Sequence, residues 1–272
     1  MAHQVELQFA AATDTGLIRA HNEDSIAISS ARGLAILADG MGGYNAGEVA
    51  SGIATAILKE SLENGLENFP WNLGANRASY LQQLVVESID HANIAIYETA
   101  RNDPQYAGMG TTLVMALFHH DKITVAHVGD SRAYRLRHGT LELITRDHSL
   151  LQEQIDAGLI DPESARFSPN RNLVTRAVGV NYVVDVEIHD HLTEAGDVYL
   201  LCSDGLSDML STQEISEILT AMDADLKTIS DALVQRANDN GGRDNTSVIL
   251  IKVQSNQTET KRLFRQILDW GK

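Results

Sequence analysis

Eight short runs along the chain are dense in Val, Ile, Leu and Thr: "QVELQFAAAT", "SIAIS", "GLAILAD", "TTLVMALF", "KITVAHVGD", "RAYRLR", "DVYLLCSD" and "TSVILIKV". Several alternate apolar with polar positions, the period-2 mark of a strand, while "GLAILAD" is almost wholly apolar and reads as a buried one. Between the strands lie three stretches with small and apolar residues at helical spacing: "AGEVASGIATAILKESLENG", "SYLQQLVVESIDHANIAIYETA" and "TQEISEILTAMDADLKTISDALVQRAND". Strands following strands, with long helices inserted, predict an α+β fold in which sheet packs on sheet and helices lie outside. No repeat of fixed period and no Pro/Gly/Ser linker divides the chain, so it reads as one domain over residues 1–254. Two segments stand apart. Residues 147–175, polar and containing "IDPESARFSPNRN", follow a short helix and read as a surface excursion. In the tail, residues 255–272, Leu263, Phe264, Ile267 and Leu268 could share one face of a short helix that packs back on the domain.

Composition narrows the class. The chain has 272 residues and a formal charge of −16 at pH 7, a surface that repels nucleic acid and anionic lipid. No apolar stretch reaches membrane-spanning length, and the N-terminal residues lack the basic and apolar regions of a signal peptide. The single cysteine, Cys202, excludes an intramolecular disulfide and makes a reducing cytoplasm the expectation. It sits in an apolar run and reads as a core residue, because burial raises a thiol's pKa. A monomer is the default expectation.

The chemistry lies where strands end. "ILAD" ends in Asp39, "ITVAHVGD" in Asp130 and "VYLLCSD" in Asp204, and Asp244 in "GGRDNTSVILIKV" stands just before a strand. A single aspartate followed by glycine is a turn former. Four with the same local grammar suggest loops gathered at one edge of the layers, where function commonly sits. Converging carboxylates repel one another, so they must take up protons or hold cations. An all-oxygen donor set selects hard ions such as Mg²⁺ or Mn²⁺, and nothing in these motifs has the His/Cys spacing of zinc. Two such ions would activate water and attract a phosphate, which reconciles an anionic substrate with an acidic protein. Gly40, Gly42 and Gly43 allow close backbone approach, so that a carbonyl there can serve as a ligand. "GLIRAHNEDS" adds Arg19, suited to a bidentate grip on phosphate, with Glu23 and Asp24.

Taken together, "GLIRAHNEDS", "LADGMGGYNAGEVAS", "GMGTTLVMAL", "AHVGDSRAYRLR", "LLCSDGLSDML" and "GGRDNTSVILIKV" resemble the metal-dependent protein phosphatase 2C family (PPM) in its compact bacterial form. They occur in the family's order and span about residues 10–253. The resemblance implies a four-layer αββα sandwich of two antiparallel β-sheets flanked by helices, with a metal centre at one end. It implies that Asp39 bridges two Mn²⁺ or Mg²⁺ ions, that the Gly40 carbonyl binds one of them, and that Asp204 and Asp244 hold the ion opposite. Glu23 and Asp24 would act through metal-bound waters. Asp130, with Asp204, matches the place of a third, weaker ion. Arg19 would hold the substrate phosphate, Thr111 and Thr112 would shape the core beside the site, and Asn245 would orient the Asp244 loop. Residues 147–175 match the family's flap.

The implied reaction is hydrolysis of phosphoserine and phosphothreonine on proteins by in-line attack of a metal-bridging water, without a phosphoenzyme and with no part for Cys202. Phosphoproteins, including those of a bacterial Ser/Thr kinase, would be the partners. The chain departs from the eukaryotic pattern at Met41, where those members carry a histidine proposed as general acid. A metal-bound water is then the first candidate for protonating the leaving group. His21, the pair at 119–120 and "HDH" at 189–191 read as loop, turn or strand-edge residues. A phosphatase-like binding module that has lost catalysis is the contrasting reading, and the retained Asp39, Asp204, Asp244 and Arg19 oppose it. A partner-switching phosphatase acting on an anti-sigma-factor antagonist is a third, with no regulatory module visible in the sequence.

Overall fold

The computed structural model describes residues 6–43, 45–70, 76–161, 173–221 and 224–254. Along the chain the elements are β1 (Leu7–Asp14), β2 (Asp24–Ser29), β3 (Leu34–Met41), α1 (Ala46–Glu67), α2 (Arg77–Asn102), β4 (Gly110–Thr111), β5 (Leu113–His119), β6 (Lys122–Val128), β7 (Arg132–Arg137) and β8 (Thr140–Leu143). They continue with α3 (Leu150–Asp156), β9 (Glu187–Leu192), β10 (Val198–Cys202), α4 (Asp204–Ser207), α5 (Thr212–Ala221), α6 (Leu226–Asp239) and β11 (Thr246–Val253). One sheet runs β1-β11-β10-β7-β8 and the other β2-β3-β5-β6-β9, with short β4 paired to β3. The pairings are antiparallel.

Strand parity builds the layers. On β3, Leu34, Ile36 and Ala38 pack with Ala50, Leu58, Val85 and Ile89 of α1 and α2. Ala35 and Leu37, one residue out of phase, pack with Val114, Ala116, Ile249 and Ile251 between the sheets. This strand is buried on both faces, so its sequence is a continuous apolar run. In the other sheet Leu200, Val248 and Leu250 face Ile215, Ile229 and Leu233 of α5 and α6, while Tyr199 and Leu201 face inward. The result is the four-layer αββα sandwich, with three apolar layers between its four strata.

Three expectations need correction. The third helical stretch is two helices: Asp225 caps α6, its side chain accepting from the Thr228 N–H at 2.9 Å, and an aspartate favours such a cap over a helix interior. The short helix lies inside the 147–175 excursion, where Ser149 caps α3 by accepting from the Gln152 N–H. Strands β8 and β9 were not expected. Strand β9, "EIHDHL", is an edge strand with polar faces, so it lacks an apolar pattern, although it does place His189 and His191 at a strand edge. Residues 162–172 of the excursion and the tail at 255–272 lie outside the described residues.

One backbone contact ties the two halves of the site together. A Cβ on Gly205 would lie 2.0 Å from the Asn245 backbone oxygen. Backbone faces backbone there, so no rotamer change relieves the clash. Gly205→Ala is expected to cost about 3 kcal/mol, at the upper end for overpacking, read as a lower urea midpoint with an unchanged slope.

Candidate active site

The layer between the sheets changes character at one end. On β2, Ile26 and Ile28 pack against it, and the same parity carries Asp24. On β3 the series Ala35, Leu37 continues to Asp39. On β11, Ile251 and Ile249 continue to Ser247 and Asn245, and on β10 Leu201 continues to Ser203. Apolar positions thus become acids and hydroxyls on several strands at the same end. Asp24 and Asp39 stand directly opposite in the β2–β3 pair, an arrangement that is destabilising for two charged carboxylates with nothing between them.

Backbone and hydroxyl contacts fix these groups. The Asp39 N–H donates to Thr112 Oγ1 at 3.2 Å, and the Asp39 carbonyl accepts from the Thr112 N–H and from Thr111 Oγ1, each at 2.8 Å. Thr111 and Thr112 therefore hold the strand end. The Gly40 N–H donates to the Glu23 carbonyl at 3.0 Å, and a Cβ on Gly40 would lie 2.1 Å from the Gly47 oxygen, so close approach demands glycine here. Ser203 Oγ donates to Asp24 Oδ2 at 2.9 Å, whereas Asp24 Oδ1 is buried without a protein partner. Asn245 does more than orient Asp244. Its Oδ1 accepts from the Glu23 N–H, and its Nδ2 donates to the Thr15 and His21 carbonyls, which seats the whole Gly16–Asp24 loop. The ring of His21 is on the exposed side of that loop.

Electrostatics shows what these acids lack. Burial, then the charges of Asp24, Asp204, Asp130 and Asp244, push the Asp39 carboxyl well above the usual range. Burial, then Asp130, Asp208 and Asp244, do the same to Asp204. Asp24 is raised to about 6, chiefly by burial, and Asp130 to about 6, by burial and then Asp147. Glu23 is raised by burial. Without counter-charge these groups must bind protons. The unpartnered Asp24 oxygen and the all-oxygen donor set fit hard divalent cations. Asp39, Asp204, Asp244 and the Gly40 carbonyl could hold them, with Asp130 beside Asp204.

Arg19 is placed at the same edge, its Nη2 2.7 Å from Asp244 Oδ2. The pair is partly exposed, the two side chains at 52% and 30%, so it is a weak bond that a phosphate can displace. Sequence reasoning missed Asp208. It follows Asp204 by one turn, donating its N–H to the Asp204 carbonyl at 2.7 Å, and its charge raises both Asp204 and Asp130. The signal was the i, i+4 spacing in "SDGLSD". It also missed Ser203 and Ser247, which the parity of β10 and β11 marks.

Among the described residues His127, His148 and Glu187 also bring candidate donor atoms within 4.8 Å of one another. Hydrogen bonding argues against a metal there. His148 Nδ1 accepts from the Gly129 N–H at 3.1 Å, so its proton is on Nε2, which donates to Glu187 at 3.3 Å. No lone pair is left on that ring, and its stacking on His127 fills the gap. Cys202 is buried and pushed up to about 12 by burial, a core thiol as expected.

A family model described as protein phosphatase 2C matches residues 19–245. The chain is 35% identical over 243 residues to the serine/threonine phosphatase stp of Listeria welshimeri, covering 88% of this chain and 93% of that one. It is 39% identical over 247 residues to the serine/threonine protein phosphatase PstP of Mycobacterium tuberculosis, covering 91% of this chain and 45% of that protein. A crystal structure of the PstP catalytic domain in complex with two manganese ions superposes with a TM-score of 0.80 at 36% identity, over 93% of this chain and all of the other.

Proposed function

The chain belongs to the protein phosphatase 2C family and is a metal-dependent serine/threonine protein phosphatase, and we propose that residues 1–254 form its phosphatase domain and hydrolyse phosphoserine and phosphothreonine by direct attack of water on phosphorus. The observation that carries the mechanism is the cluster of aspartates whose carboxyls are raised by burial and then by one another's charge, with one Asp24 oxygen unpartnered. Asp39, the Gly40 carbonyl, Asp204 and Asp244 are assigned as ligands of two Mn²⁺ or Mg²⁺ ions. Asp130 and Asp204, with Asp208, are assigned to a third and weaker one. When bound, the ions supply a water activated for in-line attack and positive charge against the phosphate oxygens.

The protein's own groups do the rest. Arg19 leaves Asp244 to grip the phosphate and neutralises charge on its equatorial oxygens. Asp24 and Glu23 orient waters in the site. Thr111 and Thr112 keep the Asp39 strand end from shifting when substrate enters. Met41 has no proton to give, so the leaving alkoxide takes its proton from a water held in the site. Cys202 stays out of the reaction, which agrees with a route that forms no phosphoenzyme. The substrates are phosphoproteins, including those of a bacterial Ser/Thr kinase, met in the cytoplasm. No helix among the described residues is long and apolar enough to cross a membrane.

The deciding experiment is hydrolysis of p-nitrophenyl phosphate with Mn²⁺, with Mg²⁺ and with EDTA. Turnover should require metal, and its absence from folded protein with either ion would refute the enzyme. Arg19→Lys tests the phosphate role. It keeps the charge but loses the fork, so KM should rise about tenfold with a smaller change in kcat.

A further inference from the structure

Directly before Arg19 stand two apolar residues with little cover: Leu17 is 67% and Ile18 72% exposed. Single exposed apolar side chains are ordinary, but an adjacent pair beside the residue that grips phosphate is not scattered surface. The turn that presents them is pinned. The Leu17 N–H donates to the Gly242 carbonyl at 2.7 Å, the Gly16 N–H to Asp14 Oδ1 at 2.8 Å, and Asn245 Nδ2 to the Thr15 carbonyl at 2.9 Å. Asp14 in turn accepts from Asn238 Nδ2 at 3.0 Å. Gly16 has φ +79°, and a Cβ on it would lie 2.4 Å from the Asp244 oxygen, so the turn rests directly on the Asp244 loop. Exposure here is held in place, and a ligand would pay little ordering cost on binding.

We propose that Leu17 and Ile18 form a preformed seat for an apolar side chain of the substrate polypeptide, next to its phosphorylated residue. The inference rests on the phosphatase reading above and adds what that reading leaves open: which sequences around the phosphate are favoured. Position argues for this occupant, because the pair adjoins Arg19 and a polypeptide whose phosphate Arg19 holds brings its flanking side chains near that residue. Charge argues for the same occupant. Glu23 and Asp244 line this edge, and the whole chain carries −16, so an acidic flank is repelled where an apolar one is not. Burying an apolar side chain on the pair makes specificity through area removed from water.

The test compares two phosphothreonine peptides, identical but for leucine or aspartate flanks, with p-nitrophenyl phosphate as the small substrate that reaches only the metal site. Wild-type enzyme should prefer the leucine-flanked peptide. In Leu17→Ser/Ile18→Ser, the kcat/KM for that peptide relative to p-nitrophenyl phosphate should fall about tenfold. Ile18→Lys should shift preference toward the aspartate-flanked peptide, a gain that loss of folding cannot mimic. Equal use of both peptides by wild-type enzyme, or ratios unchanged in both variants, overturns the seat while leaving the phosphatase intact. No turnover of any of the three substrates by wild-type protein with Mn²⁺ overturns both.

Discussion

Asp39→Asn should lower kcat/KM for p-nitrophenyl phosphate about a thousandfold or more at saturating Mn²⁺, while the protein stays folded. Losing a group that only orients a metal ligand costs about 10- to 100-fold, and losing a carboxylate assigned as a ligand itself should exceed that. Position makes the same point. Asp39 continues the inward parity of Ala35 and Leu37, and its carboxyl feels the charges of Asp24, Asp204, Asp130 and Asp244. Asp204 alone in the site is raised by as many neighbouring carboxylates. Its backbone is fixed by Thr111 and Thr112, so an isosteric amide changes charge and leaves the strand end in place. Asp24→Asn is the companion measurement, and the expected loss is 10- to 100-fold, because Asp24 Oδ2 already accepts from Ser203. A loss at Asp39 no larger than that at Asp24 would contradict the assignment of Asp39 as a metal ligand. Metal titration by calorimetry separates weakened binding from impaired chemistry.

The core of this site was legible in the sequence because it is built by strand ends. An apolar run has a definite last residue, and an aspartate there is visible without coordinates. The same grammar in "ILADG", "HVGD" and "LLCSDG" implied convergence: Asp39 arrives by the inward parity of β3, while Asp130 and Asp204 follow β6 and β10 in the other phase and still bear on Asp39 through their charge. What escaped was held by geometry that crosses between segments. Asn245 looked like a neighbour of Asp244, yet its amide seats the Thr15–Glu23 loop some 220 residues earlier in the chain. Asp208 went unread, and its charge bears on Asp204 from one turn further along the chain. Arg19 was read as the phosphate grip, and its ion pair with Asp244 was not foreseen. In the fold, β9 was invisible because an edge strand needs no apolar face, and the break between α5 and α6 is set by one capping aspartate.

Removing metal should make the protein progressively less stable as pH rises, and the gap between Mn²⁺-loaded and EDTA-treated melting temperatures should widen from pH 5 to pH 8. The folded pKa of Asp24 and of Asp130 is about 6, above the ordinary 3.8, and Asp39 and Asp204 stand well above it. Over this range the native state binds more protons than the unfolded chain, so unfolding free energy falls with pH. The contribution is whole below about pH 4 and is lost as pH climbs through 6 and beyond. A rise from 3.8 to about 6 corresponds to about 3 kcal/mol for either Asp24 or Asp130 alone, and their protons leave in shared steps with those of Asp39 and Asp204. Histidines pull the other way. Burial lowers His119, His127, His148 and His191, so they add stability as pH rises toward 6.5 and are silent above it. They are present with and without metal, so they cancel in the difference, which isolates the carboxylates. Cations replace the protons and should flatten the curve. Asp39→Asn, which removes one repelling charge, should raise the EDTA melting temperature at pH 8 above that of wild type while destroying activity. A gap between metal-loaded and metal-free protein that stays constant with pH would mean that these aspartates do not hold the cation.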